Sequence, residues 1–279
     1  MIKIVTDSTA YLPEAMIQEH DIRIVPLYVH FGNEAFKEGQ EMTNAEFYAR
    51  LKTAPQLPTT SQPSAGDFLE VFKDLSRAGH EILTLTISSQ LSGTWDSAMA
   101  AKNMLPEAPI EVVDSLSTSM GLLLIVKAAA DAAAEGASLH EIASLCEEIK
   151  EKLHVLFVVD TLEYLAKGGR IGGAKAFLGT ILKVKPILFL QEGRIEPLEQ
   201  VRSKSKAQAR LLDLIAERLG DKEAEAQTAI THALAPEDGA RLKQEVAERL
   251  GCSEPLMTEI GPVIGTHTGP GTVGIAAYV

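Results

Sequence analysis

Positive charge is in short supply in this chain. Its 279 residues carry 26 Lys and Arg against 38 Asp and Glu, a formal net charge of −12. Such a surface repels nucleic acids and anionic membranes, which are held chiefly through Lys and Arg, so no nucleic-acid partner is expected. Cysteine is scarce as well. Cys146 falls in a helical pattern and Cys252 in a loop, and two thiols without a Cys-x-x-Cys or Cys/His cluster give neither a disulfide framework nor a metal site. Free structural thiols, no metal and no other cofactor are the expectation. Long apolar runs are missing too. The run at residues 121–134 is broken by Lys127 and Asp131 and is too short to span a bilayer. The opening Met1-Ile-Lys-Ile-Val-Thr-Asp-Ser8 lacks the basic and apolar regions of a secretory signal. No stable membrane insertion is expected, and the cytoplasm is the expected location.

Common enzyme signatures are absent in turn. No Gly-x-Ser-x-Gly elbow, His-Glu-x-x-His pair or cluster of His ligands occurs. Gly269-Pro-Gly-Thr-Val-Gly274 fits G-x-G-x-x-G, yet only five residues follow it, too few for the helix, strand and acidic residue of a dinucleotide fold. Gly168 and Gly173 have the spacing of a phosphate-binding loop, but Ala174-Lys175 stands where Lys-Ser/Thr should follow.

What is present is an ordinary globular composition, 46% hydrophobic and 23% charged, in a chain long enough for two medium domains. Short β-branched or apolar runs at residues 2–5, 22–30, 82–86 and 110–113 alternate with helical patterns at 13–19, 65–76, 93–104 and 116–135. This is the rhythm of an α/β sheet. Pro13 reads as a helix-start proline and Ser64-Ala-Gly-Asp67 as a capping box. Residues 31–60, with a short helix at 44–51, read as a surface connection. After a helix at 139–152 the order changes. A strand at 155–159 and helices at 162–166 and 174–183 precede a hairpin, 186–190 with 194–200, turning at Glu192-Gly193. Helix 204–219, strand 227–232, helix 236–250, and strands 256–260 and 273–279 complete the pattern. The expected organisation is an N-terminal α/β domain over residues 1–150 and a C-terminal α+β domain over 151–279.

Four segments rich in hydroxyls and glycine carry the chemistry: Pro58-Thr-Thr-Ser-Gln-Pro-Ser64, Ser88-Ser-Gln-Leu-Ser-Gly-Thr94, Leu162-Glu-Tyr-Leu-Ala-Lys-Gly-Gly-Arg-Ile-Gly-Gly173 and Thr266-His-Thr-Gly-Pro-Gly271. They hold many hydrogen-bond donors and no evident nucleophile–base pair. That donor set suits a bound anion better than bond-breaking chemistry, which needs a poised acid, base or metal. Spacing alone favours Ser92 and Thr94 as caps of the helix starting near Gly93, and Asp7-Ser8-Thr9 and Asp114-Ser115 as caps or Asx turns at strand ends.

Taken together, Val5-Thr-Asp-Ser-Thr-Ala10, the Pro58–Ser64 and Leu91-Ser-Gly-Thr-Trp-Asp-Ser-Ala98 segments, Asp114-Ser115, the Leu162–Ile171 segment, Lys185-Pro186-Ile187 and His267-Thr-Gly-Pro-Gly271 resemble the DegV family of bacterial fatty-acid-binding proteins along essentially the whole chain. Tyr11 departs from the acidic or polar residue common there. The resemblance implies a two-domain α/β fold with a lipid tunnel between the domains. It implies a carrier, not an enzyme, that presents the carboxylate of one long-chain fatty acid to a separate fatty acid kinase for acyl-phosphate formation and phospholipid synthesis. By the same resemblance Thr60, Ser92, the Gly93 N–H, Arg170 and His267 contact the head group, Ser61, Thr94 and Thr268 support it, and Arg202 serves kinase docking or phosphoryl transfer. Residues 176–182 and 187–189 would line the tunnel or simply form core. Two other readings remain open, a phosphometabolite-binding regulatory module and a serine hydrolase built on Ser92.

Overall fold

The computed structural model describes residues 1–179, 184–252 and 255–279. The first half runs β1 (Ile2–Asp7), α1 (Glu14–His20), β2 (Arg23–Val25), β3 (Tyr28–Phe31), β4 (Glu34–Lys37), α2 (Asn44–Thr53), β5 (Thr59–Ser61), α3 (Ala65–Arg77), β6 (Glu81–Thr86), α4 (Thr94–Asn103), β7 (Ile110–Asp114), α5 (Ser119–Ala134) and α6 (Leu139–Lys152). The second half runs β8 (His154–Val158), α7 (Glu163–Lys167), β9 (Lys185–Gln191), β10 (Arg194–Val201), α8 (Lys204–Leu219), β11 (Gln227–His232), α9 (Pro236–Leu250), β12 (Leu256–Glu259), α10 (Pro262–Thr268) and β13 (Val273–Tyr278).

The described residues form three sheets. Strands β2-β1-β6-β7 form a four-stranded parallel sheet, β4-β3-β5 a small antiparallel one, and β10-β9-β8-β13-β11-β12 a six-stranded mixed sheet. The α/β class is as expected, with parallel and mixed sheets. Between the two large sheets lies α5, the apolar run at residues 121–134. Its Leu122, Ile125 and Val126 pack on Ile4, Leu83 and Leu85 of the parallel sheet. Its Met120, Leu123 and Leu124 pack on Val155, Phe157 and Ala276 of the mixed sheet. A helix buried on both faces needs no polar stripe, and each such Leu or Ile contributes about 1.5–3 kcal/mol.

Three expectations need correction. The single strand at 22–30 is two, β2 in the parallel sheet and β3 in the small one. Pro26 between them lacks the N–H and the freedom in φ to continue a ladder. Residues 31–60 are not merely a connection, because β4 and β5 pair on either side of β3. The helix at 174–183 is a short 3-10 turn over Gly172–Phe177, and Thr180, Ile181, Leu182 and Lys183 lie outside the described residues.

The capping box is present: Asp67 N donates to Ser64 Oγ at 3.2 Å and Ser64 N to Asp67 Oδ2 at 2.7 Å. Asp7 and Asp114 close turns as expected and also tie neighbouring loops. Asp7 accepts from Thr9 N at 2.9 Å and Ile87 N at 2.6 Å. Asp114 accepts from Leu116 N at 3.0 Å and Ser89 N at 3.1 Å. Burial pushes the Asp7 carboxyl up to about 6. The β9–β10 hairpin turns at Glu192 and Gly193, both with positive φ (50° and 78°), the geometry such two-residue turns require. Its tip docks on the first half, where Ser88 Oγ donates to Gly193 O at 2.9 Å. Cys146 and Cys252 are free and buried, and burial pushes the Cys146 thiol up to about 12.

Candidate functional site

The site begins at strand β5. Its register on β3 sets Thr60 opposite Val29, and since side chains alternate along a strand, Thr60 shares the face of Val29, which packs in one cluster with Val263 and Ile264 of α10. Thr60 Oγ1 lies 2.8 Å from His267 Nε2 on that helix. His267 is 9% exposed. Burial, with a smaller contribution from the Arg170 charge, lowers its pKa to about 4, so it is neutral at physiological pH. Its Nδ1 has no hydrogen-bond partner among the described residues and faces Gly168, where an added Cβ would stand 2.2 Å from it. Two residues on, Arg170 donates from Nη1 to Gly168 O at 2.9 Å and from Nε to Leu91 O at 3.2 Å. Leu91 precedes Ser92. Thr60, His267, Gly168, Arg170 and the Leu91–Ser92 loop are thus joined through contact or bonding.

This cluster opens on a cavity lined from both halves of the chain. Thr60, Ser92, Arg170 and His267 all line it, and its apolar wall includes Leu27, Ile87, Met120, Phe157 and Ile264. It encloses about 820 Å³ of space, part of it open to solvent, but the centre of a water molecule can occupy only about 80 Å³ of that. The room left between its walls is therefore small.

The family model described as "Uncharacterised protein, DegV family" matches residues 1–279. The chain belongs to the DegV family. A DegV domain-containing protein of Halalkalibacterium halodurans is 39% identical over 279 residues, covering 100% of this chain and 98% of that one. Among solved structures, a fatty-acid-binding DegV family protein from Thermus thermophilus superposes with a TM-score of 0.94 at 38% identity, covering 99% of each chain. A stearic-acid-binding protein from Eubacterium ventriosum gives a TM-score of 0.94 at 28% identity, covering 100% of this chain and 98% of that one.

Other residues singled out in the sequence of this DegV protein are placed differently from the main cluster. Ser92 does not cap α4, whose N-cap is Gly93 without a side-chain bond; its Oγ instead lies 2.8 Å from the Thr94 hydroxyl. Thr94 is buried at the first position of α4. Ser61 lines the cavity but points its hydroxyl to the opposite face of β5 from Thr60, 2.8 Å from His30 Nε2. Thr268 lines it too, with its hydroxyl donating to Ile264 O at 3.1 Å. Arg202 is exposed in the bend between β10 and α8, away from the cavity. Of residues 187–189, Ile187 and Leu188 are core; Leu190 is the β9 residue on the cavity wall. Phe177, Leu178 and Gly179 border a separate surface groove. Gly168, which the expected head-group set lacks, has its sequence signal in the Gly-Gly pair before Arg170. The described residues hold no group of three or more His, Cys, Asp or Glu placed to bind a metal, and no helix among them is long and apolar enough to cross a membrane.

Proposed function

We propose that this DegV protein binds one long-chain fatty acid in the cavity and presents its carboxylate to a separate fatty acid kinase. The observation that carries the reading is an apolar-walled cavity with Thr60, Ser92, Arg170 and a neutral His267 on its wall. A carboxylate taken from water costs several kcal/mol unless bonded. With its proton on Nε2 the imidazole donates to Thr60, leaving the Thr60 hydroxyl hydrogen for the ligand; Ser92 and the Gly93 N–H add donors, and Arg170 adds charge. The tail supplies most of the affinity. At about 0.8 kcal/mol per methylene, a chain of roughly 16 carbons has on the order of 12 kcal/mol of transfer energy to set against association costs of about 4–15. In this reading residues 1–150 and 151–279 are two lobes closing on a lipid tunnel. The ligands named for the Thermus thermophilus and Eubacterium ventriosum proteins support it.

Native mass spectrometry of the purified protein, followed by denaturation and organic extraction, tests the reading. One fatty acid of about 16–18 carbons per chain is expected, a length whose transfer energy offsets association. A small polar anion instead, or an empty protein that takes up no added fatty acid, favours a phosphometabolite module. A serine hydrolase gains no support from Ser92, whose hydroxyl pairs with Thr94 and not with an imidazole. The kinase step is tested separately. Arg202→Ala is expected to bind fatty acid as the wild type does and to slow acyl-phosphate formation; lost lipid binding would place Arg202 in ligand binding instead.

A further inference from the structure

The helix carrying His267 cannot hold itself in place. Helix α10 has seven residues, whereas isolated helices shorter than about 12–15 residues are marginal in water. Its first N–H groups have no partner within the helix and must find one elsewhere. The partners come from the opposite end of the sequence. Val263 N donates to Glu38 Oε1 at 2.7 Å, and Ile264 N to the Tyr11 hydroxyl at 3.1 Å. The Tyr11 hydroxyl donates onward to Glu38 Oε1 at 3.0 Å. Ser8 Oγ donates to Glu38 Oε2 at 2.5 Å and accepts from Leu27 N at 3.0 Å. Glu38 is 4% exposed, and burial pushes its carboxyl up to about 7. One buried carboxylate thus joins the end of β1, the approach to β3 and the start of α10.

Neither Glu38 nor Tyr11 lines the cavity, whereas Val263, Ile264 and His267 do. Val263 and His267 are four apart on the helix, one turn along the same face. Fixing the Val263 N–H therefore fixes the rotation that aims the imidazole. We propose that Glu38, acting with Tyr11 and Ser8, is a positioning residue for the head-group site: it sets the place and rotation of α10 that bring His267 against Thr60. The proposal rests on the fatty-acid reading for its functional consequence, but its structural consequence stands without it.

The test compares Glu38→Leu, Glu38→Gln and Tyr11→Phe by two readouts: the dissociation constant of a long-chain fatty acid, and the imidazole 15N resonances of His267 in ligand-free protein. Leucine leaves an N–H and two hydroxyls facing an apolar side chain, so Glu38→Leu is expected to weaken binding about tenfold and to shift the His267 resonances. Glutamine keeps an oxygen for Val263 and Tyr11 and can donate from its amide to Ser8, so it restores both readouts to within about twofold of wild type. Wild-type affinity and resonances in a folded Glu38→Leu protein overturn the proposal, as does a glutamine variant as impaired as the leucine one. If Glu38→Leu does not fold, Tyr11→Phe decides. It is expected to move the His267 resonances in the same sense, and unmoved resonances overturn the proposal. If the wild type takes up no fatty acid, the proposed function fails, and the resonances alone still decide the positioning role.

Discussion

Gly168→Ala is expected to lower fatty-acid affinity about tenfold to a hundredfold, the effect of losing one or two charge-assisted hydrogen bonds in a buried site. The cause is steric. Gly168 has φ −77° and ψ −6°, which alanine adopts without strain, but its Cβ would stand 2.2 Å from His267 Nδ1, 3.0 Å from Cε1 and 3.0 Å from Tyr164 O. The backbone oxygen belongs to helix α7 and yields little, so the imidazole must retreat and its contact with Thr60 breaks. Gly169→Ala is the control. Gly169 has φ +73° with nothing within 4 Å of an added Cβ, so alanine there costs about 1–2 kcal/mol of backbone strain and leaves the ring untouched. Titration with a fatty acid and thermal denaturation separate the two: Gly168→Ala loses affinity, and Gly169→Ala loses melting temperature. Wild-type affinity in a folded Gly168→Ala protein would remove His267 from the head-group site.

How much of this was legible in the sequence depended on element length. Helix α8, strand β11 and helix α9 match the expected residues 204–219, 227–232 and 236–250. Each is long enough for its period to show, and Ser203, Pro236, Gly220 and Gly251 mark the helix ends. The two elements that bear the site were not legible in this way. Strand β5 has three residues and α10 has seven, with Gly265 inside it. Neither displays a period, and both are held by distant parts of the chain, β5 by β3 and α10 by Glu38 and Tyr11. Thr60 and His267 were reached through motif resemblance, not hydrophobic pattern. Pattern-based capping misplaced the role of Ser92, because spacing cannot tell a cap from a hydroxyl turned toward Thr94.

The double substitution Thr60→Ala, Ser92→Ala tests the head-group assignment without disturbing the tail. Both side chains lie on the cavity wall; the Thr60 bond, at 2.8 Å to His267, joins β5 to α10, which Glu38 and Tyr11 also hold at its start, and the Ser92 bond, at 2.8 Å to Thr94, is local. The protein is therefore expected to fold, losing about 1–2 kcal/mol of stability. Affinity for a long-chain acid is expected to fall about a hundredfold, as two hydrogen bonds to an ionised group contribute about 1.5–3 kcal/mol each and do not add fully. Binding is not abolished, because the apolar wall still takes up the methylenes. The sharper signature is a loss of discrimination. Wild type is expected to prefer the free acid to its methyl ester, and the double variant to bind the two within a few fold, since a head group without charge has no bonds of that strength to lose. Unchanged affinity for the acid in a folded double variant would place the carboxylate elsewhere. A parallel loss for acid and ester would instead show that these residues shape the cavity and do not read the head group.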